Sequence, residues 1–581
     1  MKLKKRLISL ILIIATALSA FTACDSKESK PNDEDTASEK DAVSFPEDAF
    51  PIFKDSEYLM DVVMPDKATE VELAIAARIC STIKSKTGQE LTSNTDYLTS
   101  GASYDSDKYE ILIGKTAHEE VKTLQKSIPY SSYGIKTVGK KIIFFFTTRE
   151  QGLELTKIFF NAVENDDNGN LWIASDFSTQ KISSAQLSAL PLYPSSSTTV
   201  VDCDEDTEML VATATTLDDF KAYCASLESN GYVEYSKRDD VEGNYFYTYT
   251  KDNTALTVYF SNSRLQTRII AGPLKDIPSK EIDSTPETYK PSLTMVAQGE
   301  SFDNGLALIY MLPNGKFIVV DGGYFLTDKI YKKFCELQPG KTDFTVAAWF
   351  VSHPHTDHQE TLEKVIDQRG HNINIESIFY NYVTPEYYAD TSAEGDTGHG
   401  PIITRLRNLI AERLGSSTKV IKPHTGQIYK FGPSAEVEII FTIEDYLPTK
   451  LDRMNTSSMI IRITVNGYST MVLADATSVT NEIILKMFST HLKSDAVTLA
   501  HHGVWVDTPQ IYEKIDAKLL LWPSNTTSSR SYYKQDYSKP AIEAALTTAT
   551  DVFLSKGKDI TLPIPYEPIG NRDEFWEYLK G

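Results

Sequence analysis

Trp349-Phe350-Val351-Ser352-His353-Pro354-His355-Thr356-Asp357-His358 is the stretch on which the reading of this chain turns. An apolar run stops at Ser352, and three histidines and one aspartate follow within six residues. A short apolar run closed by a turn signal reads as a buried strand. A loop leaving such a strand end can aim several side chains at one point. Imidazole nitrogens and carboxylate oxygens are the donors that zinc takes. The competing reading is a polar turn with chance histidines. The chain holds 10 histidines in 581 residues, so three in six positions favours a metal loop.

Outward from this loop the pattern stays regular. Gly305 to Leu312 predicts a strand, Pro313-Asn314-Gly315-Lys316 a turn, and Phe317 to Val320 a second strand closing on Asp321-Gly322-Gly323. Leu326 to Glu336 predicts a helix leading to the metal loop. Further on, Ser469 to Ala474 reads as a strand ending at Asp475, with Asn455-Thr456-Ser457-Ser458 ahead of it. Ala496 to Ala500 reads as another, ending at His501-His502-Gly503.

Asp321-Gly322-Gly323 together with His353-Pro354-His355-Thr356-Asp357-His358 resembles the metallo-β-lactamase superfamily over about residues 293–575. The H-H-G ending and Asn455-Thr456-Ser457-Ser458 look most like the branch related to competence DNA-uptake proteins, with cell-wall phosphorylcholine esterases as a second reference. The resemblance implies an αβ/βα sandwich, hydrolysis, and two zinc ions at one edge, with manganese or iron as alternatives. It implies that His353 and His355 hold one ion, that Asp357, His358 and one of His501 and His502 hold the other, and that Asp475 bridges them. His502 is the favoured ligand, since Gly503 lets the backbone turn in closely; His501 then stands just outside the ligands as a catalytic residue. Asp357 is both ligand and orienting group for the attacking water. Asp321, with Gly322 and Gly323, fixes the loop beneath the site. Leaving-group protonation falls to His501, Tyr380 or a bound water. The family's third histidine, expected between His358 and Asp475, has no good match. His371 follows the metal loop too closely, His399 sits in a Gly-rich loop, and His424 is expected to open a surface strand. How many ions the loop holds therefore stays open. Tyr380 to Gly400, with Asn381, Tyr387 and Tyr388, is either a lid over the site or a variable surface loop.

At 581 residues the chain is too long for one core and predicts several domains. Residues 1–23 read as a targeting leader: Lys2, Lys4, Lys5 and Arg6 precede an apolar run from Leu7 to Leu18. Phe21-Thr22-Ala23-Cys24 resembles a bacterial lipobox, which implies cleavage before Cys24, lipidation of its thiol and amine, and anchoring at the extracytoplasmic face of the membrane. Plain secretion is the alternative. Residues 24–45 are charged and small polar residues, expected as a disordered tether. Loss of the leader takes the net charge from −22 to −26, a field that disfavours nucleic acid as a partner.

Residues 46–190 predict a small α/β domain in the order β-α-β-α-β-β-α. Its elements are Tyr58–Val63, Ala68–Lys84, Tyr109–Gly114, His118–Gln125, a hairpin from Tyr133 to Phe146 turning at Gly139, and Gln151–Val163. It resembles the domain ahead of the catalytic barrel in some glycoside hydrolases, which implies a carbohydrate-proximal module; a structural spacer is as consistent with it. Pro191–Thr199 is a joint. Residues 198–275 predict a small α+β domain, with a helix at Asp218–Asn230 and strands at Tyr232–Tyr235, Tyr245–Lys251, Ala255–Ser261 and Leu265–Ala271. Its tyrosines, Tyr232, Tyr235, Tyr245, Tyr247, Tyr249 and Tyr259, either stack on sugars or pack as half-buried strand residues. Cys203 and Cys224 either bridge or remain buried thiols. Residues 276–292 are a linker, and 293–581 are the domain with the metal loop.

The expected fold class is therefore α/β: a C-terminal αβ/βα sandwich preceded by two small α/β and α+β domains. The expected function is a membrane-anchored, metal-dependent hydrolase in which activated water attacks a phosphoester or phosphodiester of an envelope substrate, a cell-wall polymer or carbohydrate among the partners. Lactam, lactone or thioester hydrolysis by the same site is one alternative. A surface binding or scaffold lipoprotein with a vestigial site is another; the presence of every expected ligand argues against it.

Overall fold

A computed structural model describes residues 45–580 apart from 101, 195–196, 205, 299–304, 325, 368–371, 383, 385–398, 415, 450, 452–453 and 556. The expected leader, Cys24 and nearly all of the tether lie outside the described residues, as do His371, Tyr387 and Tyr388. Among the described residues, no helix is long and apolar enough to cross a membrane.

The N-terminal part carries two sheets. The six-stranded one runs in the order Ser178–Ile182, Ser132–Val138, Lys141–Phe145, Glu110–Ile113, Asp61–Met64, Ser93–Thr95, and its last four strands are parallel. The helix Glu70–Thr87 starts where Thr69 and Glu72 cap one another and ends at Gly88, whose φ is +74°. A four-stranded antiparallel sheet, which pairs Phe50–Lys54 with Glu57–Tyr58 and Leu171–Ile173, is absent from the sequence expectation. Its strands are two to five residues long, and its central pairing, Phe50–Lys54 with Leu171–Ile173, spans more than a hundred residues.

The middle part is one antiparallel sheet of six strands under the helix Leu217–Ser229. Two of its strands, Thr198–Asp204 and Thr207–Thr213, are absent from the sequence expectation, and the first begins within the expected joint. Tyr232, Tyr247, Tyr249 and Tyr259 are buried, so they serve the core and present no face to a sugar. Cys203 and Cys224 are buried and free. Val201, Met209, Val211, Phe246, Tyr259 and Ile270 of this sheet share a core with the C-terminal part.

In the C-terminal part the strands are β1 (Ser292–Met295), β2 (Ala307–Met311), β3 (Phe317–Asp321), β4 (Phe344–Phe350), β5 (Ile373–Ile375), β6 (Ser377–Phe379) and β7 (Lys419–Ile421). After these come β8 (Ile428–Lys430), β9 (Ala435–Phe441), β10 (Ile460–Val465), β11 (Tyr468–Val472), β12 (Ala496–Thr498), β13 (Leu519–Trp522), β14 (Asp551–Leu554) and β15 (Ile560–Pro563). The first sheet runs β7-β6-β4-β3-β2-β1-β15, with β5 also on β4; the second runs β8 to β14 in chain order. Period-two alternation gives each sheet an inner face. Leu308, Tyr310, Ile318 and Val320 of the first meet Val437, Ile439, Ile461 and Ile463 of the second in one core. Burying each such side chain contributes about 1.5–3 kcal/mol. The outer faces carry helices, among them α1 (Thr327–Leu337) and α2 (Thr356–Asp367), through Ile330, Phe334, Leu362 and Ile366. This is an αβ/βα sandwich, the fold class expected from the sequence.

One irregularity bears on the metal loop. Phe317 pairs with Val346 and Ile318 with Ala348, so Ala347 is an extra residue in β4. Phe344 and Val346 pack toward the helices, but beyond the bulge Ala348 and Phe350 face the other sheet. A bulge re-aims the strand that follows it, here directly before Ser352 and the histidines.

Candidate metal centre

Four strand ends deliver the site. Asp321 closes β3, the loop from Ser352 to His355 leaves β4, Asp475 follows β11, and His501 and His502 follow β12. β3 and β4 are parallel neighbours, and so are β11 and β12. All these side chains therefore emerge at one end of the two facing sheets. Asp357 and His358 lie in the first turn of α2, one turn after the strand exit.

The anchor is Asp321. It is fully buried in a left-handed backbone conformation, φ +55°. Its Oδ1 accepts from Ser352 N at 2.7 Å and its Oδ2 from Ser352 Oγ at 2.8 Å. His358 Nδ1 lies 2.8 Å from Asp321 Oδ2. A carboxylate at that nitrogen keeps the ring proton on Nδ1 and leaves the Nε2 lone pair pointing outward. Gly322 packs against Thr361, where a Cβ would come within 2.8 Å, and Gly323 takes φ +67° beside Gln298.

Around His358 Nε2 the spacing is informative. It lies 3.2 Å from Asp475 Oδ1 and 3.6 Å from Asp357 Oδ2. His502 Nε2 lies 3.4 Å from the same Asp357 oxygen and 3.5 Å from the same Asp475 oxygen. Bonds of about 2.1 Å at tetrahedral angles set ligand atoms about 3.4 Å apart. Four of the six separations among these atoms thus match a cage of metal-binding size, and all lie within 4.8 Å. His358 Nε2, Asp475 Oδ1 and His502 Nε2 are buried and have no hydrogen-bond partner. Orphaned buried polar atoms are costly and point to a missing ion or water. Gly305 N sits 3.3 Å from His502 Nδ1. A ligating Nε2 leaves the ring proton on Nδ1, so this long contact gives way when an ion binds.

A second group forms on the other oxygen of Asp475. His353 Nε2 is 3.7 Å from Asp475 Oδ2 and 2.9 Å from His355 Nδ1. Ser352 Oγ, 3.0 Å from His353 Nδ1, orients that ring from behind. The atoms of each group lie within 4.8 Å of one another, so Asp357, His358, Asp475 and His502, and separately His353, His355 and Asp475, could hold a metal ion. Asp475 belongs to both.

The electrostatics favour a cation. Burial works against a charged His358, but Asp475, Asp357 and Asp321 outweigh it and push its pKa well up. Burial opposes ionisation of Asp357 and Asp475 too, yet His358 and the neighbouring imidazoles hold both well below the usual carboxylate range. Burial, with the charge of His358, pushes His353 down, and burial pushes His501 down to about 4. Three carboxylates thus face the imidazoles, a field that draws positive charge, while His353 and His501 are held neutral.

The His501-His502 turn is tightly built. Both residues have left-handed backbones, at φ 46° and 56°. His501 N donates to Ala474 O at 2.8 Å, and Trp522 Nε1 donates to His502 O at 2.7 Å. Gly503 takes φ +92°, and a Cβ there would meet the Trp522 ring at 2.7 Å. Asn455 Nδ2 donates to His501 Nε2 at 3.1 Å.

Two expectations are corrected. His424 opens no surface strand: it is buried, its Nδ1 is 2.8 Å from Glu444 Oε2, and it belongs to the joint with the middle sheet. The middle sheet covers this side of the molecule, with Phe246 packed so closely on Gly426 that a Cβ would sit 2.1 Å from its ring. Tyr380 is no proton donor at this site. It packs against Tyr382 with ring centres 4.7 Å apart and planes tilted by 42°, and burial pushes its pKa up to about 12 in the field of Arg407 and Asp204. His399 begins the helix His399–Arg413, and the stretch 385–398 of the expected lid or loop lies outside the described residues. Two site neighbours escaped the sequence reading. Tyr324 lies beside Thr356 and within the field of Asp357 and His358. Trp505 is 47% exposed, its ring centre 5.4 Å from that of His501. Their signals, a tyrosine directly after Gly322-Gly323 and a tryptophan three residues after His502, mean little without the fold.

No family model matches the chain, and no curated protein sequence matches it. Among solved structures it is similar to zinc-bound PqqB from Methylobacterium extorquens, at 10% identity over 47% of this chain and 99% of that one, with a TM-score of 0.26. It is similar to unliganded yeast PDE1, at 12% identity over 48% of this chain and 100% of that one, with a TM-score of 0.28. It is also similar to a long form of RNase Z from yeast, at 11% identity over 50% and 43% of the two chains, with a TM-score of 0.28. The chain's own facing sheets, outer helices and strand-end donors make the αβ/βα sandwich expected from the sequence.

Proposed function

We propose that this protein is an exported, lipid-anchored, metal-dependent hydrolase that cleaves phosphoester or phosphodiester bonds of an envelope substrate. The observation that carries the hydrolase reading is the close donor group of Asp357, His358, Asp475 and His502, three of whose atoms are buried without partners. The donor set, nitrogen and carboxylate oxygen, suits zinc, with manganese or iron also accommodated. Bound divalent cations supply Lewis-acid charge there and acidify water to near neutrality.

The chain's own residues give that chemistry a direction. His353, His358, Asp475 and His502 are buried, while His355, Asp357 and His501 are partly open. Substrate and water therefore enter on the side of His355, Asp357 and His501. Asp357, whose ionised form is favoured by the imidazoles around it, accepts a hydrogen bond from the attacking water and orients it. Tyr324 stays protonated, because burial raises its pKa, and is the neutral proton-bearing group beside Asp357. Trp505 offers an apolar wall at the entrance. The phosphoester class and the envelope location rest on the sequence resemblances and the apparent lipobox.

The test is metal analysis of the purified protein, followed by hydrolysis of bis(p-nitrophenyl) phosphate, a chromogenic lactam and cell-wall fragments with zinc or manganese added. Turnover of the phosphodiester that is lost on chelation and restored by metal is the expected result. Turnover of the lactam alone would move the substrate class. A protein that takes up no metal and cleaves none of these sinks the reading.

A further inference from the structure

We propose that His501 is a metal ligand: it supplies the third imidazole of the His353-His355 position, which His424, engaged with Glu444, does not provide. The inference rests on the two-ion reading above and changes the role expected for His501, from a catalytic group beside the ligands to a ligand.

The bridging carboxylate divides the imidazoles in two. Asp475 Oδ1 faces His358 Nε2 at 3.2 Å and His502 Nε2 at 3.5 Å. Asp475 Oδ2 faces His353 Nε2 at 3.7 Å and His501 Nε2 at 3.5 Å. Consecutive histidines thus serve opposite oxygens at equal distance. The value of 3.5 Å is again near the edge of a tetrahedral cage, about 3.4 Å. His353, His355 and Asp475 lie within 4.8 Å of one another, and His501, 3.5 Å from Asp475 Oδ2, would be the fourth donor on that side. Asp357, His358, His502 and Asp475 make four on the other.

The backbone is shaped to present both rings. A single ligand after β12 needs one aimed side chain, yet both residues are held left-handed, a conformation unfavourable for non-glycine residues. Ala474, across the turn, is left-handed too, at φ 45°. The bonds from His501 N to Ala474 O and from Val504 N to His501 O lock the turn against the residue preceding the bridging aspartate.

The tautomer is also set. An amide N–H can only donate, so the 3.1 Å bond from Asn455 Nδ2 makes His501 Nε2 an acceptor and puts the ring proton on Nδ1. That is the form that ligates through Nε2. Asn455 Oδ1 is buried without a partner, so this amide is free to turn as the lone pair passes to an ion. The other described histidines of this part are engaged elsewhere: His424 with Glu444, and His491 with Glu438.

The experiment is metal stoichiometry and cobalt(II) absorption of the full chain, comparing wild type with His501→Ala, His501→Gln, His502→Ala and Asn455→Ala. Far-UV circular dichroism confirms that each variant is folded. Two equivalents are expected in the wild type and in Asn455→Ala. One is expected in each His501 variant and in His502→Ala, the first-position affinity falling by about 100-fold or more without His501. The visible cobalt spectra of the His501 and His502 variants should differ, because each retains the other position. Retention of two equivalents and an unchanged cobalt spectrum in both His501 variants overturns the inference and leaves the hydrolase reading standing. A wild type that binds no metal overturns the hydrolase reading itself.

Discussion

At the strand-end site, His358 Nε2, Asp475 Oδ1 and His502 Nε2 are buried without partners. At the joint with the middle sheet, the equally buried Asp445 and Arg268 find their partners within the chain. Asp445 accepts from Tyr259 Oη and Thr425 Oγ1, both at 2.6 Å. The guanidinium of Arg268 donates to the backbone carbonyls of Glu444, Asp445 and Leu447. Both regions are built of charged side chains taken out of water, which is unfavourable in each case. The joint recovers that cost with hydrogen bonds inside the chain, so it serves the fold. The site leaves it unrecovered until something outside the chain arrives, so it serves binding. The contrast is between satisfied and unsatisfied donors and acceptors, not between charged and apolar regions.

The contrast can be broken from either end. Asp475→Asn keeps the shape but removes the charge that both donor groups share. Hydrolysis should fall by about 10³-fold or more, with loss of bound metal, read by steady-state kinetics and elemental analysis; retained metal and activity would remove Asp475 from the site. Arg268→Ala leaves the carbonyls of Glu444, Asp445 and Leu447 without their buried partner. Unfolding by denaturant should show a loss of about 3–5 kcal/mol, with metal content per folded molecule unchanged. Asp321→Asn sits between the two cases, since Asp321 holds Ser352 and His358 but faces no ion. Metal affinity should drop about 10–100-fold in a competition titration, with little change in fold. At neutral pH the smallest effect concerns Glu438, on β9. Burial pushes its pKa up, but the hydrogen bond from His491 and the charges of Arg462 and Arg238 outweigh it and hold the pKa at about 2, against an ordinary 4.5. A depressed folded-state pKa stabilises the fold above the ordinary value, and that stability is lost as pH falls from about 4.5 toward 2. Acid unfolding followed by circular dichroism should start in that window, and Glu438→Gln should flatten it.

Much of the C-terminal half is legible from the chain because its signals are local. Asp321-Gly322-Gly323, the His353–His358 loop, Asp475 and His501-His502-Gly503 each sit at the end of an apolar run, and each is found at a strand end. The four-stranded N-terminal sheet was not legible, since strands such as Glu57–Tyr58 and Glu164–Asn165 carry no periodicity of their own. His424 was misplaced because its segment is polar, and polar segments read as surface; the packing of Phe246 on Gly426 buries it. Tyr380 was placed with the chemistry by proximity in sequence alone, whereas the turn after β6 sends it toward Arg407.

By itself the sequence determined the kind of chemistry and the order of its parts. Ligand types, strand exits and glycine turns are properties of short stretches, fixed by donor chemistry and local sterics. Only the tertiary structure decided which donors share a point. Distances such as the 3.5 Å from each of His501 and His502 to opposite oxygens of Asp475 depend on how two sheets meet and on a left-handed turn pinned to Ala474. They arise between residues far apart in the chain, where no local pattern can record them.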